Sequence, residues 1–173
     1  MTTGLASKRL GNQIEELYAK LFIQLGFTFC KMTRLASKLH DNAKIDLMFI
    51  PFNIQIKGGK QRNLNAGKEL QSMDSSIKLM FPPKDEVFSK PLILIHHEES
   101  LEDLGVPMKL RKIPANQNVF MSLTQFNKFK AQNAELKYDT IKEWKFDTSS
   151  EFKTIVHMTF EVFKKEIIQK LYM

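Results

Sequence analysis

Two short apolar runs, residues 45–50 and 53–57, constrain the fold of this chain more than any other feature. They predict two buried strands joined by a tight, proline-containing turn. Asp46 interrupts the first run, and Gln55 and Lys57 interrupt the second. Burying a carboxylate or an ammonium group costs free energy unless the group is paired or binds a metal ion. We therefore expect these polar side chains to serve a chemical function.

The periodicity around these runs predicts an α/β fold. Apolar residues recur at spacings of three and four over residues 10–25, which predicts an amphipathic helix that ends at Gly26. Residues 27–34 predict a first strand, and residues 36–43 a polar loop. The further predicted elements are a helix over about 64–80, strands at 91–95 and 119–121, a helix from Ser122 or Thr124 to 132, and a long helix from Ser149 or Ser150 to 171.

This order of elements predicts one domain with a mixed central sheet flanked by helices. The core is expected over about residues 8–97, and residues 98–173 are expected to add C-terminal helices. Cys30 is the one cysteine of the 173 residues, so an internal disulfide is excluded and a reducing compartment is favoured. The chain shows neither a signal-peptide core nor an apolar run that approaches about 18 residues, so we expect an intracellular protein that does not enter a membrane.

The net charge of +7 is concentrated in the first half of the chain. Residues 1–90 carry a net charge of +6, whereas residues 91–173 carry +1. Such a local excess attracts polyanions, although a lysine-rich solvated surface is an equally simple explanation. The residues expected to contact nucleic acid are Lys44, Lys60, Gln61, Arg62, Asn63 and Lys68.

The polar residues of the strand pair are of the types that metal-dependent phosphodiester hydrolysis requires. Hard cations held by carboxylates activate water, neutralise charge on the phosphate and stabilise the leaving oxygen. Asp46 and Gln55 are expected to project toward one site together with the backbone carbonyl of Ile56. Lys57 emerges on the side of Gln55 because strand side chains alternate, and Glu15 completes the site if the first helix packs against the strands. The expected ion is Mg²⁺, with Mn²⁺ as a substitute.

These residues, in this order, resemble the motifs of the PD-(D/E)xK nuclease superfamily. The resemblance covers about residues 8–97 and is carried by Gly11-x-x-x-Glu15, Leu25-Gly26-Phe27, Asp46 and Gln55-Ile56-Lys57. Within the superfamily, the chain is similar to Holliday-junction resolvases and to virus-type replication-repair nucleases. The resemblance implies a restriction-endonuclease-like core of helix, three strands, helix and strand. It also implies that Glu15, Asp46 and Gln55 are metal ligands and that Lys57 is the catalytic lysine.

The chain departs from the superfamily pattern at two positions. Ile45 precedes Asp46 where the pattern has proline, and Gln55 stands where Asp or Glu is usual, so these motif positions provide two carboxylates at most. Three classes of function follow as alternatives. The first is a metal-dependent DNA endonuclease in recombination, repair or mobile-element biology, structure-selective like a junction resolvase. The second is a nucleic-acid-binding protein that has lost cleavage, and the third is a protein-interaction domain.

Other expectations concern neighbouring residues and assembly. His40 and Asp41 lie in the predicted loop before Asp46, where they could reach a substrate, and His96-His97 ends a predicted central strand. For these histidines, satisfaction by the backbone is the alternative to contact with phosphate. A homodimer is expected because a two-fold axis matches the two antiparallel strands of DNA.

Overall fold

The helices and strands of this chain are defined in a computed structural model that describes residues 4–58, 66–81, 92–96, 117–132, 142–145 and 152–173. The helices are α1 (Gly4–Gln24), α2 (Thr33–Ala36), α3 (Lys38–Asn42), α4 (Ala66–Met80), α5 (Leu123–Gln132), α6 (Phe160–Phe163) and α7 (Gln169–Tyr172), with a π-helical turn at Lys164–Ile168 between the last two. The strands are β1 (Lys31–Met32), β2 (Leu47–Met48), β3 (Asn53–Lys57), β4 (Leu92–His96), β5 (Asn118–Ser122), β6 (Lys142–Lys145) and β7 (Thr154–Thr159).

The strands form two sheets. The central sheet has five strands in the order β3-β4-β5-β7-β6, with β3 and β4 parallel and the other neighbours antiparallel. Strands β1 and β2 form a separate antiparallel pair. The protein is therefore a mixed α/β fold with helices flanking a mixed sheet, as the sequence predicts. In the part of the chain that is described, no helix is both long and apolar enough to cross a bilayer.

Helices α1 and α4 cover opposite faces of strand β3. Ile54 and Ile56 point into a core that includes Tyr18 and Phe22 of α1. Side chains on the other face of the sheet, such as Leu94, pack into a second core formed with α4. This division follows from strand alternation, which sends residues 54 and 56 to one face and residues 53, 55 and 57 to the other.

The predicted elements before β3 are partly wrong. The strand predicted over residues 27–34 is limited to Lys31–Met32, α2 begins where the strand was expected to end, and the predicted polar loop contains α3. Local hydrogen bonding explains the helical turn, because the Ser37 hydroxyl accepts a hydrogen bond from the His40 N–H and caps α3. Of the strand predicted at residues 45–50, only Leu47–Met48 is extended, and it pairs with β1 in place of forming a hairpin ladder with β3.

The long helix predicted after residue 149 is also wrong in its first half. Residues Thr154–Thr159 form strand β7 between β5 and β6, and the helix begins at Phe160. Thr159 ends the strand and caps the helix, since its hydroxyl accepts a hydrogen bond from the Val162 N–H at 3.2 Å. Residues 98–173 are therefore not a helical addition, because strands β5, β6 and β7 belong to the central sheet.

Candidate metal site at the edge of strand β3

Asp46 lies against the outer edge of strand β3. Among the described strands, β3 is the end strand of the central sheet, and its hydrogen-bonding edge that faces away from β4 is available to the Asp46 segment. Along this edge, the Asp46 N–H donates to the Ile54 carbonyl at 2.7 Å, and the Ile56 N–H donates to Oδ2 of Asp46 at 2.6 Å. The Asp46 carboxylate thus takes the place of a backbone carbonyl of a neighbouring strand. Because the N–H and C=O of an extended residue point to the same edge, the Ile56 carbonyl also points to this side.

Thr33 holds the Asp46 segment from the other side. Its N–H donates to the Asp46 carbonyl at 2.9 Å, and its hydroxyl donates to the Ile45 carbonyl at 2.5 Å. The Thr33 side chain is fully buried, so these bonds are shielded from competition with water. Backbone bonds to β3 and to the start of α2 therefore fix the position of the Asp46 carboxyl group before any ligand binds.

The surroundings of Asp46 favour its neutral form. The pKa of Asp46 is raised from 3.8 to about 7, mainly by burial and secondly by the nearby Glu15 carboxyl group, while the hydrogen bond from Ile56 and the charge of Lys57 act in the opposite direction. The exposed Asp41 adds a smaller upward contribution. Asp46 therefore lies within electrostatic range of Glu15 and Lys57. Partly buried carboxylates that repel each other are typical of a site that binds a cation.

Glu15 reaches this region from α1 and is paired with Arg34 of α2. The Arg34 Nη2 atom lies 3.4 Å from Oε2 of Glu15, and both side chains are largely buried. Burial raises the pKa of Glu15, whereas Arg34 lowers it and Asp41 raises it. The positive charge of Arg34 thus offsets part of the negative charge that Glu15 and Asp46 bring together.

Lys57 reaches the site from the opposite face of β3, where it contacts α4. Its Nζ atom lies 3.8 Å from Oε2 of Glu69 in the first turn of that helix. Lys44 also contacts α4, because its ammonium group donates a hydrogen bond to the Ser72 hydroxyl. Glu69 and Ser72 are three residues apart and therefore lie on one face of the helix. Helix α4 thus binds both lysines that flank Asp46 in the sequence.

Glu15 lies on α1, which covers one face of the sheet, whereas the Lys57 side chain extends from β3 toward α4 on the other face. Asp46 lies at the edge of β3, between the two faces of the sheet. Glu15 and Lys57 are therefore both within electrostatic range of Asp46, although they lie on different faces. The sequence predicts that Glu15, Asp46, Gln55 and Lys57 surround one point. In the structure, Glu15 and Lys57 both lie close enough to Asp46 to influence its pKa, and each forms an ion pair with another residue.

Gln55 supplies a further oxygen atom to be considered as a metal ligand. Its side chain is 9% exposed and shares the α4 face of β3 with Lys57. The Oε1 atom of Gln55 is buried and has no hydrogen-bond partner in the described part of the protein. Burying an amide oxygen without a hydrogen bond costs free energy unless a ligand or an ion binds to that oxygen.

The oxygen atoms considered as ligands are of the chemical type that a hard cation such as Mg²⁺ prefers. They are the carboxylates of Glu15 and Asp46, the amide oxygen of Gln55 and the carbonyl of Ile56. Among the described residues, no three His, Cys, Asp or Glu side chains are arranged to bind a metal ion. A metal site at this edge accordingly requires the neutral oxygen donors as well as the two carboxylates.

The predicted nucleic-acid contacts are only partly described. Lys44 is bound to α4 as stated above, and Lys68 is exposed on that same helix. His40 has a structural role, since its ring packs against Phe81 and its Nδ1 atom lies 2.7 Å from the Ser37 hydroxyl. The predicted contacts Lys60, Gln61, Arg62 and Asn63, and also His97, lie outside the described residues.

Two charged neighbours of the site, Arg34 and Glu69, were not among the predicted site residues. Arg34 lies in a segment that the sequence predicts as a strand, where its direction could not be inferred. Glu69 follows Lys57 after a glycine-containing segment, and no spacing rule links the two residues. Only the packing of α2 and α4 reveals these contacts.

Comparisons of the chain with protein-family models, with curated protein sequences and with solved structures found no match. The function is therefore inferred from the chemistry of this edge.

Proposed function

We propose that this protein is a metal-dependent DNA endonuclease whose active site lies at the outer edge of β3. The main support is the position of Asp46, a largely buried carboxyl group that accepts a hydrogen bond from Ile56 and lies within electrostatic range of Glu15 and Lys57. A carboxylate pair that binds a divalent cation, with a lysine nearby, is one set of groups that can hydrolyse a phosphodiester bond. The order of α1, the β1–β2 pair, β3, α4 and β4 agrees with the core of the PD-(D/E)xK superfamily, apart from the inserted α2 and α3.

In this proposal each residue has a defined role. Glu15, Asp46, Gln55 and the Ile56 carbonyl hold Mg²⁺, for which Mn²⁺ can substitute. The bound ion supplies an activated water and neutralises charge on the phosphate. Lys57 offsets negative charge on the phosphate and orients the attacking water by hydrogen bonding. Partial burial strengthens these interactions, because fewer water molecules screen the charges.

The proposed substrate is duplex or branched DNA. The net charge of +6 in residues 1–90 places the positive field of the protein in the half that carries the site. Resolution of four-way junctions is the specific case suggested by the sequence resemblance. A homodimer is part of the proposal, because cutting two strands of opposite polarity suits a two-fold axis.

A second function, nucleic-acid binding without cleavage, is favoured by the charge balance of the site. Gln55 contributes no negative charge, Glu15 is already paired with Arg34, and Lys57 is paired with Glu69. Such pairing lowers the affinity for a cation and holds the lysine away from the phosphate. In this case the basic half of the chain binds DNA and the site at the edge of β3 is inactive.

A cleavage and binding panel separates the two functions. The full chain is incubated with four-way junction, flap, nicked, single-stranded and linear duplex DNA in Mg²⁺, in Mn²⁺ and in EDTA. The endonuclease proposal expects cleavage in Mg²⁺ or Mn²⁺ that is abolished by Asp46→Asn and by Lys57→Ala. The exposed Lys20→Ala variant on α1 is the matched control and should cleave normally.

The other outcomes assign other functions. Salt-sensitive DNA binding without cleavage by the wild-type chain supports the binding protein. Neither binding nor cleavage at low salt supports the protein-interaction domain. Cleavage that persists in Asp46→Asn would exclude the edge of β3 as the active site.

A further inference from the structure

Two exposed phenylalanines lie at one end of the β1–β2 pair. Phe29 is 74% exposed and Phe49 is 58% exposed, and they are the exposed phenylalanines of the described chain. Phe29 lies two residues before the first residue of β1, and Phe49 directly follows β2. Because the two strands are antiparallel, with Lys31 opposite Met48, the start of β1 and the end of β2 lie side by side. Both aromatic residues therefore lie at the same end of this small sheet.

Phe49 also has an unusual backbone conformation. Its φ angle is 63°, in the left-handed region that bulky side chains rarely adopt. An aromatic side chain at this position is unfavourable for two reasons, because its backbone is strained and its ring is exposed to water. Strained conformations of this kind cluster at ligand-binding positions. A glycine or asparagine would satisfy the turn, so the turn itself does not explain the phenylalanine.

Of the aromatic pair, Phe49 is close to Asp46 in the sequence, and the exposed Lys31 belongs to the same strand pair. Asp46 precedes Phe49 by three residues, which limits the separation of their Cα atoms to about 11 Å. Lys31 is exposed between the two phenylalanines in the sequence, and the exposed Lys38 follows on α3. A surface that combines flat rings with lysines is complementary to unpaired nucleobases and their phosphates.

We propose that Phe49 and Phe29 form a stacking surface for unpaired nucleobases next to the phosphate held at the edge of β3. This inference rests on the proposed function and makes it more specific, because the substrate must present accessible base faces, as single strands and branch points do. Intact duplex offers no such faces, so it binds through its phosphates alone. The stacking surface therefore discriminates branched or single-stranded DNA from linear duplex.

A second copy of this chain fits the surface less well. In a two-fold symmetric interface the same surface meets itself, so the two copies of Lys31 would be brought toward each other. Every copy also carries a net charge of +7, which opposes association through a basic surface. A polyanion with flat apolar faces meets neither obstacle.

The test measures the binding of a single-stranded oligonucleotide and of a duplex of equal length to the full chain by fluorescence anisotropy. The proteins carry the Lys57→Ala substitution, so that cleavage does not interfere. Phe49→Ala should weaken single-strand binding at least about fivefold, with duplex binding changed less than about twofold. Phe49→Trp should retain single-strand affinity, whereas Phe49→Leu should lose it, because stacking needs a flat ring. Phe29→Ala should show the same selective loss.

Two controls separate stacking from charge and from general apolar contact. Leu79→Ala removes an equally exposed apolar side chain, 76% exposed, from the far end of α4 and should leave both affinities unchanged. Lys31→Ala should reduce the dependence of single-strand affinity on salt by about one phosphate contact, while Phe49→Ala should not change that dependence. A single strand with 2-aminopurine should lose fluorescence on binding the Phe49 protein and not the Phe49→Ala protein.

Several results would overturn the stacking proposal. Equal single-strand affinities of the Phe49 and Phe49→Ala proteins contradict it, as does an equal loss of duplex binding. A change in oligomeric state with Phe49→Ala, at unchanged DNA affinity, assigns the surface to self-association. If the wild-type chain does not cleave DNA but Phe49→Ala selectively weakens single-strand binding, the stacking proposal is supported and the endonuclease proposal is contradicted. The two proposals can therefore fail separately.

Discussion

The Lys57 ammonium group lies 3.8 Å from a carboxylate oxygen of Glu69, so an ion pair connects strand β3 to helix α4 at the candidate site. The pair is only partly exposed, which limits its screening by water. Lys57 is the proposed catalytic residue, and the direction of its flexible side chain depends on what it contacts. Glu69 is therefore a positioning residue in the proposed mechanism.

Replacing Glu69 should affect the cleavage rate more than DNA binding. Glu69→Gln removes the charge that orients Lys57, and small displacements of a catalytic group cost about tenfold or more in rate. We expect kcat to fall about tenfold, with KM for DNA changed less than about threefold, and Glu69→Asp to recover part of the rate. The matched control is Asp74→Asn on the same helix, which breaks only the Asp74–Lys78 pair. A proportional rise in KM with constant kcat would instead place Glu69 in substrate binding.

Arg34 should weaken metal binding, because its positive charge lies 3.4 Å from a carboxylate oxygen of the proposed ligand Glu15. The Arg34→Met variant removes this charge and keeps the apolar part of the side chain. Near a partly exposed site, one unit charge changes the binding free energy by about 1 kcal/mol, so Mg²⁺ should bind about fivefold more tightly. Isothermal titration calorimetry measures this change, with Lys20→Met on α1 as the control. Weaker Mg²⁺ binding by Arg34→Met would mean that Arg34 is needed to orient Glu15.

The stability of the metal-free protein should fall as the pH rises from about 4 to about 7. The pKa of Asp46 is raised from 3.8 to about 7 in the folded protein, mainly by burial. Between these values the folded state binds more protons than the unfolded state, so the free energy of unfolding decreases with increasing pH. Asp46→Asn removes this effect and should be more stable than the wild type at pH 7.5, by on the order of 2 kcal/mol after allowance for partial exposure. Denaturant unfolding in EDTA at pH 5 and pH 7.5 measures the difference, and parallel curves for the two proteins would contradict the prediction.

The segment from β3 to β4 could be predicted from the sequence because its signals are local. Strand β3 was predicted with the bounds that it has, and the helix predicted over about 64–80 is α4, Ala66–Met80. The apolar run at residues 91–95 is likewise β4, which is buried over Leu92–Ile95. Alternation, helical spacing and continuous burial each specify one type of element here, and tertiary packing agrees with them.

Strand β7 shows where local pattern fails. Phe152, Ile155 and Val156 occur at a spacing that also fits a helix, and the segment continues into a true helix at Phe160. The strand is favoured because β5 and β6 pair with it on both sides. Strand stability depends on these neighbours, and one sequence window contains no information about them.

The residues of the candidate site also divide into those that local sequence signals reveal and those that only tertiary packing reveals. Asp46, Gln55 and Lys57 could be identified because buried polar residues stand out within apolar runs. Arg34 and Glu69 could not, because each is joined to its partner through the packing of separate helices. Strand β3 was predicted, but the hairpin ladder expected between it and the Asp46 segment is replaced by separate hydrogen bonds of Asp46 with Ile54 and Ile56.

Gln55→Glu should convert the weakest ligand position into a strong one. The buried Oε1 atom of Gln55 has no hydrogen-bond partner in the described part of the chain. A carboxylate at this position would therefore need a bound cation to neutralise its charge. In EDTA the variant should be less stable than the wild type, because it adds a buried negative charge near Asp46. Saturating Mg²⁺ should restore its stability, and its Mg²⁺ affinity should exceed that of the wild type by about tenfold.

The control for this substitution is Gln125→Glu on α5, where another glutamine is 7% exposed and lies apart from the site. It should destabilise the protein in EDTA to a similar extent, since a buried carboxylate is costly wherever it lies. Magnesium should not restore its stability, because no other proposed ligand is present there. Thermal unfolding of both variants with and without Mg²⁺ therefore separates a metal ligand from a buried charge. Equal responses of the two variants to Mg²⁺ would remove Gln55 from the proposed ligand set.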